Sequence, residues 1–134
     1  MGAGVVAGLL AEAQDHVALL RIIARRVIDG FVADLVISAI TLGELRLGVL
    51  NAQDPESASR RLSTYQLAQR FEALTVDEAV CDAWALLVSR LRVAGRKAPI
   101  NDSWIAATAI AHGVPVVTQD ADYDAMTDVQ VIKI

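Results

Sequence analysis

Three acidic residues are the strongest candidates for chemistry in this sequence. Glu44, Asp102 and Asp120 lie far apart along the chain, yet each stands just past a predicted strand or near the start of a predicted helix. In an open parallel sheet such positions can converge on one crevice at the carboxyl ends of the strands. Clustered carboxylates repel one another, and a hard divalent cation relieves that repulsion. The set therefore favours hydrolysis of a phosphodiester by a water that Mg²⁺ or Mn²⁺ activates.

Each acid also has a purely structural interpretation. Thr41 and Glu44 have the spacing of a capping box, in which both side chains serve the start of a helix. Asp102 stands at a predicted helix start, where it could cap the helix or complement its dipole. Asp120 and Asp122 could be ordinary turn residues. The spacing of the residues leaves both interpretations open for each acid.

Other metal and nucleophile sites fit the sequence poorly. Asp120, Asp122 and Asp124 alternate as in a calcium-binding loop, but Ala125 and Val131 stand where that loop needs Gly and Glu. The chain has one cysteine, two histidines that are distant in sequence, and no glycine-rich phosphate loop. An EF-hand, a zinc site and a nucleotide-binding loop are therefore not expected.

A group of cations precedes Asp102 and is a candidate for contact with RNA. It consists of Arg90, Arg92, Arg96 and Lys97, near the end of a predicted long helix. Such residues could steer a phosphate backbone, or they could form a solvated helix end whose charges complement the dipole. Trp104 could stack on a base, although packing in the core is the more frequent role of tryptophan.

Length and composition restrict the class of protein. A chain of 134 residues with 54% hydrophobic residues fits one globular domain with a single core. Its net charge of −4 argues against a protein that coats nucleic acid through bulk electrostatics, but it does not exclude a local basic patch. The apolar run over residues 3–10 is too short to span a bilayer. The single cysteine, Cys81, allows no disulfide within the chain, which suits a reducing cytosol.

Strands and helices alternate along the chain. Residues 4–11 and His16–Ile28 are interpreted as two consecutive helices, and Leu35–Ile40 as a buried strand followed by a helix that begins at Thr41. The later segments are a helix to about Arg70, a strand over Ala73–Val76, an amphipathic helix ended by Gly95, a helix over Asn101–His112, and strands over Val116–Thr118 and Val129–Ile134. This order predicts an α/β fold with a parallel sheet flanked by helices.

Three stretches of the sequence resemble the VapC family of PIN-domain toxins. They are SAITLGELRLGV (Ser38–Val49), INDSWIAATA (Ile100–Ala109) and VVTQDADY (Val116–Tyr123). The resemblance implies a three-layer α/β PIN fold, an endoribonuclease site of about four acids that binds Mg²⁺ or Mn²⁺, a VapB-like antitoxin and a homodimer. By motif, Glu44, Asp102 and Asp120 match the second, third and fourth acids, and Asp122 is an accessory candidate.

The N-terminus departs from the family pattern. Family members begin with a strand that ends in Asp, whereas Met1–Ala7 contains no acid and is expected to enter a helix directly. Asp15 and Asp29 are the nearest substitutes, and neither follows a convincing strand. We therefore expect a single domain over residues 1–134 whose first strand and first metal ligand are missing. Either the start is assigned too far downstream or the strand has been removed; alternatively, the chain is a truncated relative that has lost catalysis.

Two functions follow from these expectations. In the first, Glu44, Asp102 and Asp120 hold one or two divalent cations that activate water to cut single-stranded or looped RNA in the cytoplasm. In the alternative, the chain is a catalytically impaired PIN-like module that binds an antitoxin without cleaving RNA. Metal-dependent cleavage of RNA separates the two functions.

Overall fold

The computed structural model describes residues 5–6, 35–118 and 121–133. Its strands are β1 (Val5–Val6), β2 (Leu35–Ser38), β3 (Glu72–Leu74), β4 (Val116–Thr118) and β5 (Val131–Lys133). Its helices are α1 (Ala39–Leu50), α2 (Pro55–Ala68), α3 (Glu78–Val93), α4 (Ile100–His112) and a short 3₁₀ helix (Ala121–Ala125). The predicted helix over His16–Ile28 and the candidate acids Asp15, Asp29 and Asp120 lie outside the described residues.

The five strands form one parallel sheet in the order β3-β2-β1-β4-β5. From the central strand β1 the chain builds one side of the sheet with β2 and β3, and it then builds the other side with β4 and β5. The strand order therefore reverses between β1 and β4. In open α/β sheets such a reversal leaves a crevice at the carboxyl ends of the strands, where ligands bind. The predicted parallel sheet with flanking helices and the three-layer α/β fold are confirmed.

The expectation that the first strand is missing was wrong at Val5–Val6. These two residues form β1, where Val5 is opposite Leu35 and Val6 is opposite both Val36 and Val116. The physical reason is that periodicity cannot separate a short buried strand from a helix when all residues in the run are apolar. The β-branched valines favour the strand. Ala7 follows β1 in the sequence, so the strand is not followed by the family's first Asp.

The junction between β2 and α1 lies earlier than predicted. The strand ends at Ser38 instead of Ile40, and the Ser38 hydroxyl oxygen accepts hydrogen bonds from the backbone N–H of Ile40 at 3.0 Å and of Thr41 at 3.4 Å. Ser38 is therefore the N-cap, a position at which serine is strongly preferred. The capping-box interpretation was wrong, because Thr41 lies in the first turn of α1 and Glu44 in the second.

The main hydrophobic core lies where α3 and α4 pack on the sheet. Leu87 and Leu91 of α3 contact a cluster that includes Ile105 and Ala106 of α4 and Val116 of β4, and all of these side chains are buried. Gly113 ends α4 in the left-handed region, with φ of 66°, as predicted from its position after the last helical residue. None of the described helices is long and apolar enough to cross a membrane.

Replacing Ser38 by Ala is expected to destabilise the fold, because it removes the oxygen that caps α1. The free energy of unfolding should fall by about 1 kcal/mol, which urea titration would measure as a lower midpoint. Ser89→Ala, at an exposed position within α3, is the matched control. If the two variants have equal midpoints, Ser38 does not stabilise the start of α1.

Candidate metal centre

The Glu44 side chain, on α1, forms a hydrogen bond with the first turn of α4. Its side chain is half-buried, and its Oε2 atom accepts a hydrogen bond of 3.1 Å from Nδ2 of Asn101. Asn101 precedes Asp102 in the chain, so this contact brings the helix that carries Glu44 against the turn that carries Asp102. The two acids predicted from opposite parts of the sequence therefore belong to one region of the molecule.

The Asp102 carboxylate lies inside the protein, with 8% of the residue exposed. The N-cap of α4 is Pro99, which supplies no side-chain hydrogen bond, so the capping interpretation of Asp102 was wrong. Asp102 does lie in the first turn, where its charge complements the helix dipole. Its Oδ1 atom accepts a hydrogen bond of 3.2 Å from the hydroxyl of Tyr123, which is 1% exposed in the 3₁₀ helix.

Two buried oxygen atoms on α1 have no hydrogen-bond partner among the described residues. They are Oε1 of Glu44 and Oγ1 of Thr41, and their spacing of three residues puts them on one face of the helix. The hydroxyls of Thr64 and Thr108 instead donate to the carbonyl four residues earlier in their own helices. An unsatisfied buried polar atom costs free energy, so these oxygens mark a place that a polar ligand would stabilise.

Burial raises the pKa of the Glu44 carboxyl, and the hydrogen bond from Asn101 opposes that shift with a smaller effect. The rise means that the local environment disfavours the negative charge. A cation beside the carboxylate would reverse this effect, because an opposite charge favours the ionised form. The electrostatics of Glu44 therefore suit a site that is completed by a positive ligand.

The donor set fits a hard cation. Carboxylate and hydroxyl oxygens are the ligands that Mg²⁺ and Mn²⁺ prefer, and Oε1 of Glu44 is buried without a hydrogen-bond donor in the part of the chain that the structure describes. Within residues 35–118 and 121–133, no three His, Cys, Asp or Glu side chains form a group that could hold a metal ion. Asp120, the third predicted acid, lies outside the described residues, and it follows the end of β4 by two positions in the sequence.

Asp122 and Asp124 lie on the 3₁₀ helix after β4. Both are exposed, in contrast to Asp102. Asp124 forms an ion pair of 2.8 Å with Lys133 of β5. Asp122 also has a polar interaction.

Three of the four predicted RNA-binding cations surround one cavity. Arg92, Arg96 and Lys97 line a space of about 520 Å³ whose wall is otherwise mainly apolar. Arg90 does not line it and instead forms an ion pair of 2.8 Å with Asp128. Arg90 and Arg96 together line a neighbouring cavity that also contains Asp128, so Arg90 lies beside the first cavity and not in it.

Trp104 takes the packing role. Its ring is stacked on that of Trp84, with centroids 4.4 Å apart and an interplanar angle of 3°. The indole N–H of Trp84 donates to the Ser103 hydroxyl at 2.9 Å. This stacked pair links α3 to α4 next to the turn that carries Asp102.

The sequence did not indicate the two residues that donate hydrogen bonds to the acids, Asn101 and Tyr123. Both lie inside the motifs that carry the family resemblance, Asn101 directly before Asp102 and Tyr123 at the end of VVTQDADY. Their location in these motifs was the one sequence feature that could have marked them as part of the site. Their contacts span 57 and 21 residues of sequence, and they follow only from the tertiary fold.

Comparisons with known proteins agree with this architecture. A family model described as PIN domain matches residues 3–129. The chain is 70% identical over 98 residues to ribonuclease VapC4 of Mycobacterium tuberculosis, covering 73% of this chain and 75% of that protein. It is 39% identical over 100 residues to ribonuclease VapC5 of the same organism, covering 72% and 74%.

The fold is also similar to that of a solved complex. This is the crystal structure of VapBC-5, a member of the VapBC family of toxin-antitoxin systems from Mycobacterium tuberculosis, with a TM-score of 0.80 and 34% identity over 100% of both chains. The family model covers nearly the whole chain, and the fold as a whole is similar to that of this solved structure. This chain therefore belongs to the PIN-domain family.

Proposed function

We propose that this chain is the toxin of a type II toxin-antitoxin system and acts as a Mg²⁺- or Mn²⁺-dependent endoribonuclease that hydrolyses RNA phosphodiester bonds. The observation that carries the proposal is the buried Oε1 of Glu44, which has no partner among the described residues and lies on a helix held against the turn of Asp102. The relatives named ribonuclease VapC4 and VapC5 support the reaction class.

In this proposal Glu44, Asp102 and Asp120 hold the cation, and Asp122 is an accessory ligand. When bound, the cation activates water and neutralises the charge that develops on the phosphate. Glu44 contributes one fixed oxygen, bonded to Asn101, and one oxygen that is left for the ligand. Because Asp102 is buried, its carboxylate is shielded from bulk water, which strengthens its attraction for a positive charge.

Ala7 stands directly after β1, where the family pattern has an Asp, so three motif-matched acids are proposed as the principal ligands. Mg²⁺ commonly keeps several waters and needs only one or two protein carboxylates, so a three-acid site can hold the ion. If three acids are insufficient, the chain is the catalytically impaired module, and it will not cleave RNA.

A VapB-like antitoxin is the proposed partner, since the solved structure with the same fold is a toxin-antitoxin complex. A homodimer and a cytoplasmic location complete the proposal. Large exposed apolar side chains supply surface that an assembly would cover; among the described residues they include Leu47, Leu50, Val93 and Ile100. The lone cysteine suits the reducing cytosol.

RNA contact is assigned to the cations of the cavity, Arg92, Arg96 and Lys97. They precede Asp102 closely in the chain, and no ion pair joins them to another described residue. Phosphate groups would therefore meet cations that are not already neutralised. Arg90 is a weaker candidate, because Asp128 compensates its charge.

RNA cleavage tests the proposed reaction directly. The purified chain should cut structured RNA with Mg²⁺ or Mn²⁺ and lose activity in EDTA. Asp102→Asn and Glu44→Gln should each lower the rate by about 100-fold or more, because metal stabilisation of the transition state is worth several kcal/mol. Asp82→Asn, on the exposed face of α3, should retain activity. Cleavage that persists in EDTA would contradict the mechanism, and binding of antitoxin without any cleavage would establish the impaired module.

The raised pKa of Glu44 predicts how stability depends on pH in EDTA. Between the ordinary pKa of the unfolded state and the raised pKa of the folded state, the folded chain binds more protons, so stability falls as pH rises through that interval. Glu44→Gln removes this cost and should be more stable than the parent at neutral pH. The advantage should vanish below the ordinary value of 4.5.

Denaturant unfolding at several pH values, always in EDTA, measures this difference. Glu72→Gln, at an exposed position of β3, is the matched control. The prediction fails if Glu44→Gln is not stabilised relative to the parent at neutral pH by more than the control.

The salt dependence of RNA binding tests the cation cavity. Replacing Arg92, Arg96 or Lys97 by Ala should weaken binding of single-stranded RNA, and each lost phosphate contact should reduce the slope of log affinity against log salt by about 0.7. Arg60→Ala, an exposed site on α2, serves as the control. Fluorescence anisotropy at several salt concentrations measures both quantities, and an unchanged slope in the triple variant would exclude the cavity as the RNA site.

A further inference from the structure

We infer that Asn101 and Tyr123 are positioning residues that orient the two described metal-binding carboxylates, Glu44 and Asp102. The inference rests on the proposed function, because it concerns the residues that hydrogen-bond to the proposed metal ligands. Groups that hydrogen-bond to metal ligands fix the orientation of those ligands and commonly alter metal affinity when they are replaced. Each of the two residues donates to one acid in the structure.

Asn101 selects which oxygen of Glu44 faces the ligand. Its amide donates to Oε2 at 3.1 Å, while Oε1 is buried and without a partner among the described residues. A free glutamate side chain exchanges its two carboxylate oxygens by rotation. Fixing the side chain in one orientation therefore costs conformational entropy. The amide contact removes that freedom before the ligand arrives. Because Asn101 itself is exposed, it adds little to the core, and its contact with Glu44 is its main interaction across the fold.

Tyr123 orients Asp102 in the same way as Asn101 orients Glu44. Its ring is buried in the cluster that contains Ile105 and Met126, so the hydroxyl has little room to move. The hydroxyl donates to Oδ1 of Asp102 at 3.2 Å. The tyrosine thereby ties the segment after β4, which carries Asp120 in the sequence, to the acid on α4. A phenylalanine at this position would fill the same space without the hydrogen bond to Asp102.

The chain supplies matched controls for both residues. Tyr65 and Asn51 are its only other tyrosine and asparagine. The hydroxyl of Tyr65, on α2, accepts a hydrogen bond from the Gln69 side chain just after that helix, and Asn51 ends α1 with an exposed side chain. Tyr123→Phe can therefore be compared with Tyr65→Phe, and Asn101→Ala with Asn51→Ala. Each pair removes the same chemical group at two different places.

Binding of Mn²⁺ alone, measured by calorimetry without RNA, is the decisive experiment. Tyr123→Phe and Asn101→Ala should each weaken Mn²⁺ binding by about 10-fold to 100-fold, whereas Tyr65→Phe and Asn51→Ala should bind like the parent. In cleavage assays, higher Mn²⁺ should restore the rate of the two positioning variants, whereas Asp102→Asn should stay inactive at every concentration. Thermal unfolding in EDTA verifies that the variants are folded, and Asn101→Ala changes only an exposed side chain.

The outcomes separate this inference from the proposed function. If the parent binds Mn²⁺ and cleaves RNA while both positioning variants bind Mn²⁺ with unchanged affinity, the positioning role is overturned and the nuclease assignment stands. Loss of affinity that is equal in the control variants also overturns it. If the parent binds no Mn²⁺, or if Asp102→Asn binds as tightly as the parent, the metal site fails, and the positioning role fails with it.

Discussion

The burial of the Asp102 carboxylate and of one carboxylate oxygen of Glu44 is the constraint on which the rest of the site depends. A carboxylate that leaves water loses its hydration and needs replacement donors or a positive charge. The fold supplies Asn101 for one acid and Tyr123 for the other. It supplies no donor among the described residues for the second oxygen of Glu44. One buried carboxylate oxygen of Glu44 thus stays without a donor among the described residues, and a positive ligand would compensate it.

The topology of the sheet makes this arrangement possible. A parallel sheet needs a crossover between neighbouring strands, and helices in these crossovers start or end at the same edge. Here α1 follows β2 directly, α4 precedes β4, and both strands pair with the central strand β1. Two helices that are distant in sequence therefore present their N-terminal halves to one region. The same relation explains why a strand of two residues, β1, matters: it connects the two halves of the sheet.

The sequence was most informative where local chemistry decides the structure. Strand β4 and the end of α4 at Gly113 agree with the predictions, because a glycine after a helix and a short run of valines act locally. The start of α1 was mispredicted because Ser38 and Thr41 are both good caps. The choice between them depends on where β2 ends, and Ser38 still pairs with Leu74 of β3. Such pairing is a tertiary fact that no local pattern contains.

The same distinction applies to the site and to its charge. The acids stand out because of their type, whereas Asn101 and Tyr123 become meaningful only through contacts across the fold. Net charge likewise hides the local distribution: the chain carries −4 overall, yet none of the described residues that line the cavity of Arg92, Arg96 and Lys97 is acidic. Screening limits the influence of distant acids to about 10 Å at ordinary salt. A polyanion that approaches this surface therefore responds to the nearby cations more than to the total charge, and an acidic chain can still bind RNA.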